Sequence, residues 1–233
     1  MAEETSIGDL EGSLRYPFTG EGWGPKFALG GLLYILGNLL GFIPWVGWIF
    51  CLLISFLPLG YAYLSFRDHL RGPGGPLPAW TEWEGLFRHG FFVFLISLGY
   101  GIIPGLVYRL GKALWESGGF AAFWGVLFLI VGLGVGLVAF FFLPMALAFY
   151  AREEETLSSA FRWSGIVEKI WLVQKEYFVG WLSSLAFFLV LLFVEAYFLY
   201  VGWILYSLGL FYLSLAASHF FGRICRASME ATR

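Results

Sequence analysis

The stretch FALGGLLYILGNLLGFIPWVGWIFCLLISFLPLGYAYLSF, residues 27–66, decides the fold. It holds no charged residue over 40 positions. One helix of that length would rise about 60 Å, twice the ~30 Å of bilayer hydrocarbon. The chain must therefore fold back, and the breaker is 41–48, GFIPWVGW, with two glycines, a proline and two tryptophans. The stretch predicts two transmembrane spans, at 27–42 and 48–66.

Composition places the chain in a membrane. It is 59 % hydrophobic and 13 % charged, with a mean hydropathy of +0.77, whereas soluble domains carry about 25 % charged residues. Polar surface is too scarce to cover so much apolar surface, so lipid must cover the remainder. The formal charge of −2 gives no indication of nucleic-acid binding. We expect the lipid bilayer as a partner, no nucleic acid and no cofactor.

The rest of the chain completes a bundle of six spans. The 46 residues between Glu176 and Arg223 hold one charged group, Glu195, which again requires two spans. The four further spans are predicted at 86–108, 120–150, 177–198 and 203–223.

The predicted fold is an all-α, polytopic membrane helix bundle with six transmembrane helices and cytoplasmic interfacial amphipathic helices. Its expected parts are a cytoplasmic N-terminal segment at 1–26, a six-span membrane domain at 27–225 and a cytoplasmic tail at 226–233.

The segment after the fourth span predicts a helix on the membrane surface. The acidic residues 153–155 suit the positive end of a helix dipole, and we place the helix at 157–175. Its apolar residues fall near one face, which favours an interfacial amphipathic helix over a plain polar linker. Tryptophan prefers the membrane interface. The tryptophans expected to act as interfacial anchors are Trp80, Trp83, Trp163 and Trp171.

The basic residues divide unevenly between the two sides that six spans define. Twelve of the fourteen lie with the termini and the segments 67–88 and 151–176, and only Arg109 and Lys112 lie opposite. The positive-inside rule makes the first side cytoplasmic. We therefore expect a multi-pass protein of the cell (plasma) membrane with both termini in the cytoplasm.

An octapeptide recurs within the chain. Residues 56–63, FLPLGYAY, return as 142–149, FLPMALAF, at an offset of 86. An internal duplication would make spans 2–3 and 4–5 parallel repeats, and chance recurrence of common span residues is the alternative. The proline in each copy interrupts the helical hydrogen bonds and is expected to bend the span there.

Three glycine pairs have the GxxxG spacing that lets helix backbones approach closely in lipid. We expect them to pack spans within one molecule rather than to join two copies. They are Gly37/Gly41, Gly101/Gly105 and Gly132/Gly136.

Few residues within the spans are candidates for chemistry. Glu195 is the only carboxylate inside an apolar run, and Asn38 is the only asparagine. A polar group at such a place is a functional candidate. Glu195 lies about 27 Å along its helix from residue 177, near the outer interface. There it can instead be an acid at a helix end, bonded to a tyrosine or to water.

The histidines His69, His89 and His219 lie at the cytoplasmic edge on this topology. The first two have acidic residues close by in the sequence, Asp68, Glu82 and Glu84. No pair has the helix-face spacing of a metal-binding motif, so surface or interfacial histidines are favoured over a metal or haem site. We predict no catalytic residue, because no phosphate loop, nucleophile elbow or nucleophile–base arrangement occurs.

A set of short motifs carries a resemblance. They are Arg15-Tyr16-Pro17-Phe18, Trp23, Lys26, Gly30-Gly31-Leu32-Leu33, Gly60-Tyr61, Leu77-Pro78-Ala79-Trp80, Trp83, Leu86-Phe87 and Gly90. Together they resemble an uncharacterised prokaryotic family of multi-pass membrane proteins known only as a domain of unknown function. The Leu-Pro-x-Trp segment is the most specific, with Ala79 where an acidic residue is usual. The resemblance covers most of 14–200 and implies a helical membrane fold and a prokaryotic membrane location.

Three functions remain open on this sequence. The favoured one is a non-catalytic membrane subunit or scaffold that binds a protein partner through its cytoplasmic or lipid-facing surface, since the spans hold few polar residues. The alternative is a small-solute or ion transporter or channel, which the duplication and the Pro/Gly-interrupted spans would suit. A lipid-modifying enzyme would need an acid–base or metal cluster at the cytoplasmic interface, which only the histidines and nearby acids supply.

Overall fold

The computed structural model describes residues 8–153 and 155–231. Within these ranges the chain is helical and holds no strand, which confirms the all-α prediction. The helices are α1 (Gly8–Arg15), α2 (Trp23–Gly41), α3 (Gly47–Arg71), α4 (Trp83–Glu116), α5 (Gly119–Arg152), α6 (Trp163–Leu172), α7 (Gln174–Tyr197) and α8 (Leu199–Glu230). Two short 3-10 helices, Tyr16–Phe18 and Leu157–Phe161, join them. Three parts of the predictions lie outside the described residues. They are residues 1–7 of the N-terminal segment, residue 154 of the acidic run and residues 232–233 of the tail.

Five helices in the described ranges are long and apolar enough to cross a membrane. They are α3, α4, α5, α7 and the part of α8 at Val201–Glu230. The chain is thus a helical membrane protein. The predicted span at 27–42 corresponds to α2, which has 19 residues and is not among the five, so the count of six spans stays a prediction.

The predicted breaker forms the connection between α2 and α3. Helix α2 ends at Gly41 and α3 begins at Gly47. Trp45 has a φ of 70°, in the left-handed region that few non-glycine residues adopt. The indole N–H of Trp48 donates to the Trp45 carbonyl at 3.1 Å. A Cβ on Gly47 would overlap the Leu40 carbonyl oxygen, so the turn requires glycine at this position.

The chain forms two compact units, one of Met1–Val93 and Val167–Arg233, the other of Phe94–Ile166. In the first unit, α3 meets its neighbours backbone to backbone at glycines. A Cβ on Gly60 of α3 would overlap the Leu86 carbonyl of α4, and one on Gly90 of α4 would overlap the Phe56 carbonyl of α3. On the side of α8, a Cβ on Gly222 would lie 2.9 Å from the carbonyl oxygen of Phe66.

The core of the first unit is aromatic and lies beside these crossings. The ring of Phe211 in α8 fills the space where Gly30 of α2 has no side chain. Between α7 and α8, the ring of Phe220 covers Gly180, and the rings of Tyr177 and Phe221 lie 5.2 Å apart. The buried members of the core are Tyr16, Tyr61, Leu77, Leu86, Phe211 and Leu215.

The second unit is built on the contact between α4 and α5. A Cβ on Gly132 of α5 would lie 2.9 Å from the backbone nitrogen of Tyr108, and one on Gly125 would overlap that of Trp115. The stretch 109–119, which separates the predicted spans 86–108 and 120–150, is mostly helix, because α4 continues to Glu116 and only the turn at Ser117–Gly118 separates it from α5.

The predicted helix at 157–175 is divided in the structure. Residues Leu157–Phe161 form a 3-10 helix, and α6 begins only at Trp163. The hydroxyl of Tyr100 donates to the Ala160 carbonyl at 2.8 Å, which occupies an acceptor that a continuous helix would use for its own backbone. The acidic run does not open this helix either, because Glu153 follows the last turn of α5.

The predicted boundary at 226 does not coincide with a break in the helix. Helix α8 runs on to Glu230, and Ser228 is buried, with its hydroxyl donating to the Lys169 carbonyl of α6 at 2.6 Å. The division of the chain into 1–26, 27–225 and 226–233 stays a prediction.

The glycine contacts of α3 predict that adding one methyl group at Gly60 destabilises the protein. Gly60→Ala should lower the free energy of unfolding by about 1–3 kcal/mol, because the added carbon forces the α3 and α4 backbones apart. Gly101→Ala is the matched control, since no neighbouring atom lies within 4 Å of its Cβ position. Unfolding of both variants in the same detergent measures the effect. Equal stability of the two would contradict the packing described for α3.

Candidate functional site

Two of the three histidines meet, His69 from the last turn of α3 and His219 from the C-terminal half of α8. The ring centroids of His69 and His219 lie 4.6 Å apart at an interplanar angle of 67°. The ring of Tyr16 lies against both, stacked on His219 at 4.8 Å and edge-on to His69 at 4.9 Å. With Ser13 and Ser65, these residues form a polar cluster within the first unit, called here the histidine cluster.

Hydrogen bonds fix each ring of the histidine cluster. Nδ1 of His69 lies 2.7 Å from the Ser65 carbonyl oxygen, which can only accept, so this nitrogen carries the proton. The hydroxyls of Tyr16 and Ser65 lie 2.8 Å apart, and Oγ of Ser13 lies 2.8 Å from Nδ1 of His219. Ser13, Tyr16, Ser65 and His69 are all buried.

The local sequence explains why these side chains converge. Ser65 and His69 stand one helical turn apart on α3, so they share a face. Gly222 lets α8 approach that face closely, with the Cβ of His69 2.7 Å from where a Gly222 side chain would begin. Tyr16 is carried in by the 3-10 helix Tyr16–Phe18, in which Pro17 is also buried.

The site is charged at its rim and neutral at its centre. Burial raises the pKa of the Tyr16 hydroxyl above its usual value, the hydrogen bond to Ser65 opposes this, and the negative charge of Asp68 adds to it. Tyr16 therefore stays protonated and neutral at physiological pH. Asp68, Arg223 and Arg226 lie close enough to act electrostatically on His69.

The third histidine lies elsewhere. His89 of α4 is buried against Tyr63 of α3, with ring centroids 5.3 Å apart, while Glu82 and Glu84 are exposed. Within 8–153 and 155–231, no three His, Cys, Asp or Glu side chains are placed to hold a metal ion together. The structure thus joins His69 to His219 and leaves His89 apart from them.

The Leu-Pro-x-Trp segment is locked into the core. Lys26 donates to the Leu77 carbonyl at 2.6 Å, and the indole N–H of Trp80 donates back to the Lys26 carbonyl at 3.0 Å. The hydroxyl of Tyr61 donates to the Pro78 carbonyl at 2.7 Å, and its ring stacks on Trp80 at 4.2 Å with 9° between the planes. These contacts give the segment a structural role between α2 and α3.

The other predicted anchors lie on the surface. Trp83, Trp163 and Trp171 are exposed, Trp171 at 66 %, whereas Trp80 is half-buried by Tyr61. Exposure of this kind suits a tryptophan at a membrane interface. The interfacial position of all four stays a prediction.

The two intramembrane candidates differ in their surroundings. The amide nitrogen of Asn38 in α2 donates to the hydroxyl of Ser207 in α8 at 2.7 Å, and that hydroxyl donates to the Trp203 carbonyl at 2.7 Å. Asn38 therefore fastens α2 to α8. Glu195 lies exposed in the last turn of α7, beside the turn where Gly202 allows α8 to begin close to the end of α7.

Sequence reasoning did not predict Ser13, Tyr16 or Ser65 as site residues. The only local pattern that pointed to the site was the i, i+4 spacing of Ser65 and His69, which is common on helices. Tyr16 belongs to the family pattern, and its position beside two histidines depends on contacts between residues distant in the sequence.

Comparison with known proteins identifies the family. The chain belongs to the family described as "Protein of unknown function (DUF4013)", whose model matches residues 43–200. The match confirms membership of an uncharacterised family and leaves the motifs before residue 43 outside the matched part. No curated protein and no solved structure matches the chain.

The contacts of Trp80 predict a stability difference between two tryptophans. Trp80→Phe should lower the free energy of unfolding by about 1 kcal/mol, because it removes the hydrogen bond to the Lys26 carbonyl. Trp171→Phe, at a surface position, should change it little. Thermal unfolding of both variants in one detergent checks the difference, and a loss that is no greater for Trp80→Phe would be evidence against the locked segment.

Proposed function

We propose that this protein is a non-catalytic membrane scaffold or subunit that binds a transmembrane helix of a partner protein along α4. The proposal includes six spans, a location in the prokaryotic cell membrane and both termini in the cytoplasm. One observation carries it, namely the difference between the three GxxxG pairs.

Two of the three pairs are used inside the molecule. Gly37 and Gly41 of α2 face Cys51 of α3 at 3.5 and 3.7 Å, and Gly132 and Gly136 of α5 face Tyr108 and Pro104 of α4. The expected packing within one molecule is thus confirmed for these two pairs. The third pair departs from it, because no neighbouring atom lies within 4 Å of the Cβ position of Gly101 or Gly105.

The surroundings of the third pair suit a helix–helix contact. Leu98, Ile102 and Leu106 flank the glycines and are 45–63 % exposed. Two glycines four residues apart form a shallow groove, and the flanking apolar side chains form its walls. A partner helix in this groove would gain close backbone contact that disordered lipid chains provide poorly.

The polar groups of the spans support a scaffold over a transporter. Several hydroxyls and amides of the described spans bond to backbone carbonyls or to each other, as Asn38 does with Ser207 and Ser184 with the Gly180 carbonyl. Such bonds hold helices in place. A transport site would instead direct polar groups into a water-filled path.

The internal duplication is part of the proposal and has support from burial. Pro58 and Pro144 both lie inside helices, α3 and α5. At the shared offset, Gly60 and Ala146, Ala62 and Ala148, and Tyr63 and Phe149 are all buried. These three pairs of equivalent positions are buried in both copies, whereas Phe56, Pro58 and Tyr61 are buried and their counterparts Phe142, Pro144 and Leu147 are half-buried.

The proposed partner site is tested by substituting both open glycines. Gly101→Leu with Gly105→Leu should remove a stoichiometric partner that co-purifies with the wild-type protein from native membranes, because the new side chains fill the groove. Gly134→Leu on α5 is the matched control, since it also has no neighbour within 4 Å. Glu195→Gln should keep the complex.

The measurement is the mass of the complex in mild detergent, with equal expression and unfolding temperature checked for each variant. Retention of the partner by the double variant, or equal loss in Gly134→Leu, would refute this groove as the binding site. If Glu195→Gln abolished ion or solute uptake in proteoliposomes, the transporter would be the better function.

The proposed orientation predicts opposite labelling of two positions. In a background lacking Cys51, Gly12→Cys and Ser117→Cys are both exposed, whereas Cys225 is buried. A thiol reagent that cannot cross membranes should label Ser117→Cys in intact cells and Gly12→Cys only after permeabilisation, because the basic residues keep the termini inside. Labelling of Gly12→Cys in intact cells would reverse the topology.

A further inference from the structure

The N-terminal segment, α1 with its 3-10 helix, is attached to the bundle through the histidine cluster. Ser13 contacts His219 at 2.8 Å, and the ring of Tyr16 packs against both imidazoles. Beside these contacts, the hydroxyl of Tyr212 donates to the Leu14 carbonyl at 2.8 Å. The segment therefore covers two titratable rings with its own side chains.

We propose that His69 and His219 form an acid-sensitive latch, which holds the segment Gly8–Phe18 on α3 and α8 while the rings are neutral and releases it when both are protonated. Histidine is the side chain whose charge ordinarily changes between about pH 5 and 8. The latch does not depend on the proposed partner of α4.

The geometry accommodates one proton on the pair. His69 already donates from Nδ1 to the Ser65 carbonyl. A protonated His219 keeps its contact with Ser13, since the hydroxyl oxygen accepts from Nδ1–H as readily as it donates to a bare Nδ1. A first proton therefore leaves the contacts of the segment intact.

A second proton cannot be accommodated in the same way. It places two positive rings at a centroid separation of 4.6 Å, where His69 is buried, His219 is half-buried, and Tyr16 and Ser13 contact the pair. Charges at this distance repel more strongly where water is partly excluded than in bulk water. Departure of Tyr16 and Ser13 admits water, which hydrates both rings and screens the repulsion.

The charged groups around the histidine pair are the same whether the segment is bound or released. Asp68 of α3 and Arg223 and Arg226 of α8 act on His69, and Arg223 acts on His219. They belong to the helices that carry the rings, so they are present whether the segment is bound or released. The segment itself brings Arg15, which forms an ion pair with Glu11 on the surface, and the loop beside His69 brings the uncharged Gly74. What differs between the two states is thus the exclusion of water by Tyr16 and Ser13.

A spin label on the segment tests the latch. The full-length protein without Cys51 carries a nitroxide on Gly12→Cys, whose side chain meets no atom within 4 Å, in liposomes of neutral lipid. The mobile fraction of the spectrum should rise at least about threefold between pH 8 and pH 5. An immobile label over the whole range would overturn the proposal.

Two histidine variants separate the latch from general acid sensitivity. His69→Asn with His219→Asn keeps amide groups near the two Nδ1 positions but cannot titrate, so the label should stay immobile at both pH values. His89→Asn, at a buried position beside Tyr63 and outside the histidine cluster, should keep the wild-type response. A wild-type response in the double variant would also overturn the proposal.

The single variant His219→Asn keeps the experiment decisive if the double variant fails to fold. It retains one titratable ring of the pair and so cannot develop two adjacent charges. The segment should remain bound down to pH 5 in this variant. If His219→Asn released the segment at the same pH as the wild-type protein, the histidine pair would not control the segment.

Discussion

Backbone contact at glycines holds α3 between α4 and α8, and the rest of the first unit depends on it. Apolar side chains gain little by leaving lipid for a neighbouring helix, so membrane helices associate through close packing and hydrogen bonds. Gly60, Gly90 and Gly222 provide that packing, because each stands where a side chain would meet a backbone carbonyl. The same approach of α8 to α3 brings His219 to His69.

Much of the fold could be predicted because it follows from charge and length. A run of 40 uncharged residues cannot be one helix in a bilayer, so the turn at 41–47 was predictable from the breaker residues alone. The bounds of α5 and α7 agree with the predicted spans to within a few residues, because charged residues flank these apolar runs as well. Polar residues mark helix ends poorly, however, and α4 runs through Arg109 and Lys112 to Glu116.

The division of the predicted surface helix was not predictable, because its cause is a distant side chain. Periodicity reports which residues share a face, but it does not reveal that Tyr100 will take the carbonyl of Ala160. The histidine cluster was hidden in the same way. His69 and His219 belong to spans whose neighbours in the bundle cannot be read from hydropathy, and Tyr16 comes from a third part of the chain.

Exposure has a different meaning for α5 than it would in water. Only 6 % of its most apolar stretch is buried, yet lipid chains cover leucine and phenylalanine well, so this alone indicates no partner. The open glycines of α4 are a different case. Lipid chains are disordered and fit a narrow groove poorly, so a groove left open forfeits dispersion contacts that a rigid helix would recover. In a membrane protein, an unfilled pair of glycines is therefore stronger evidence for a protein contact than a bare apolar surface of much larger area.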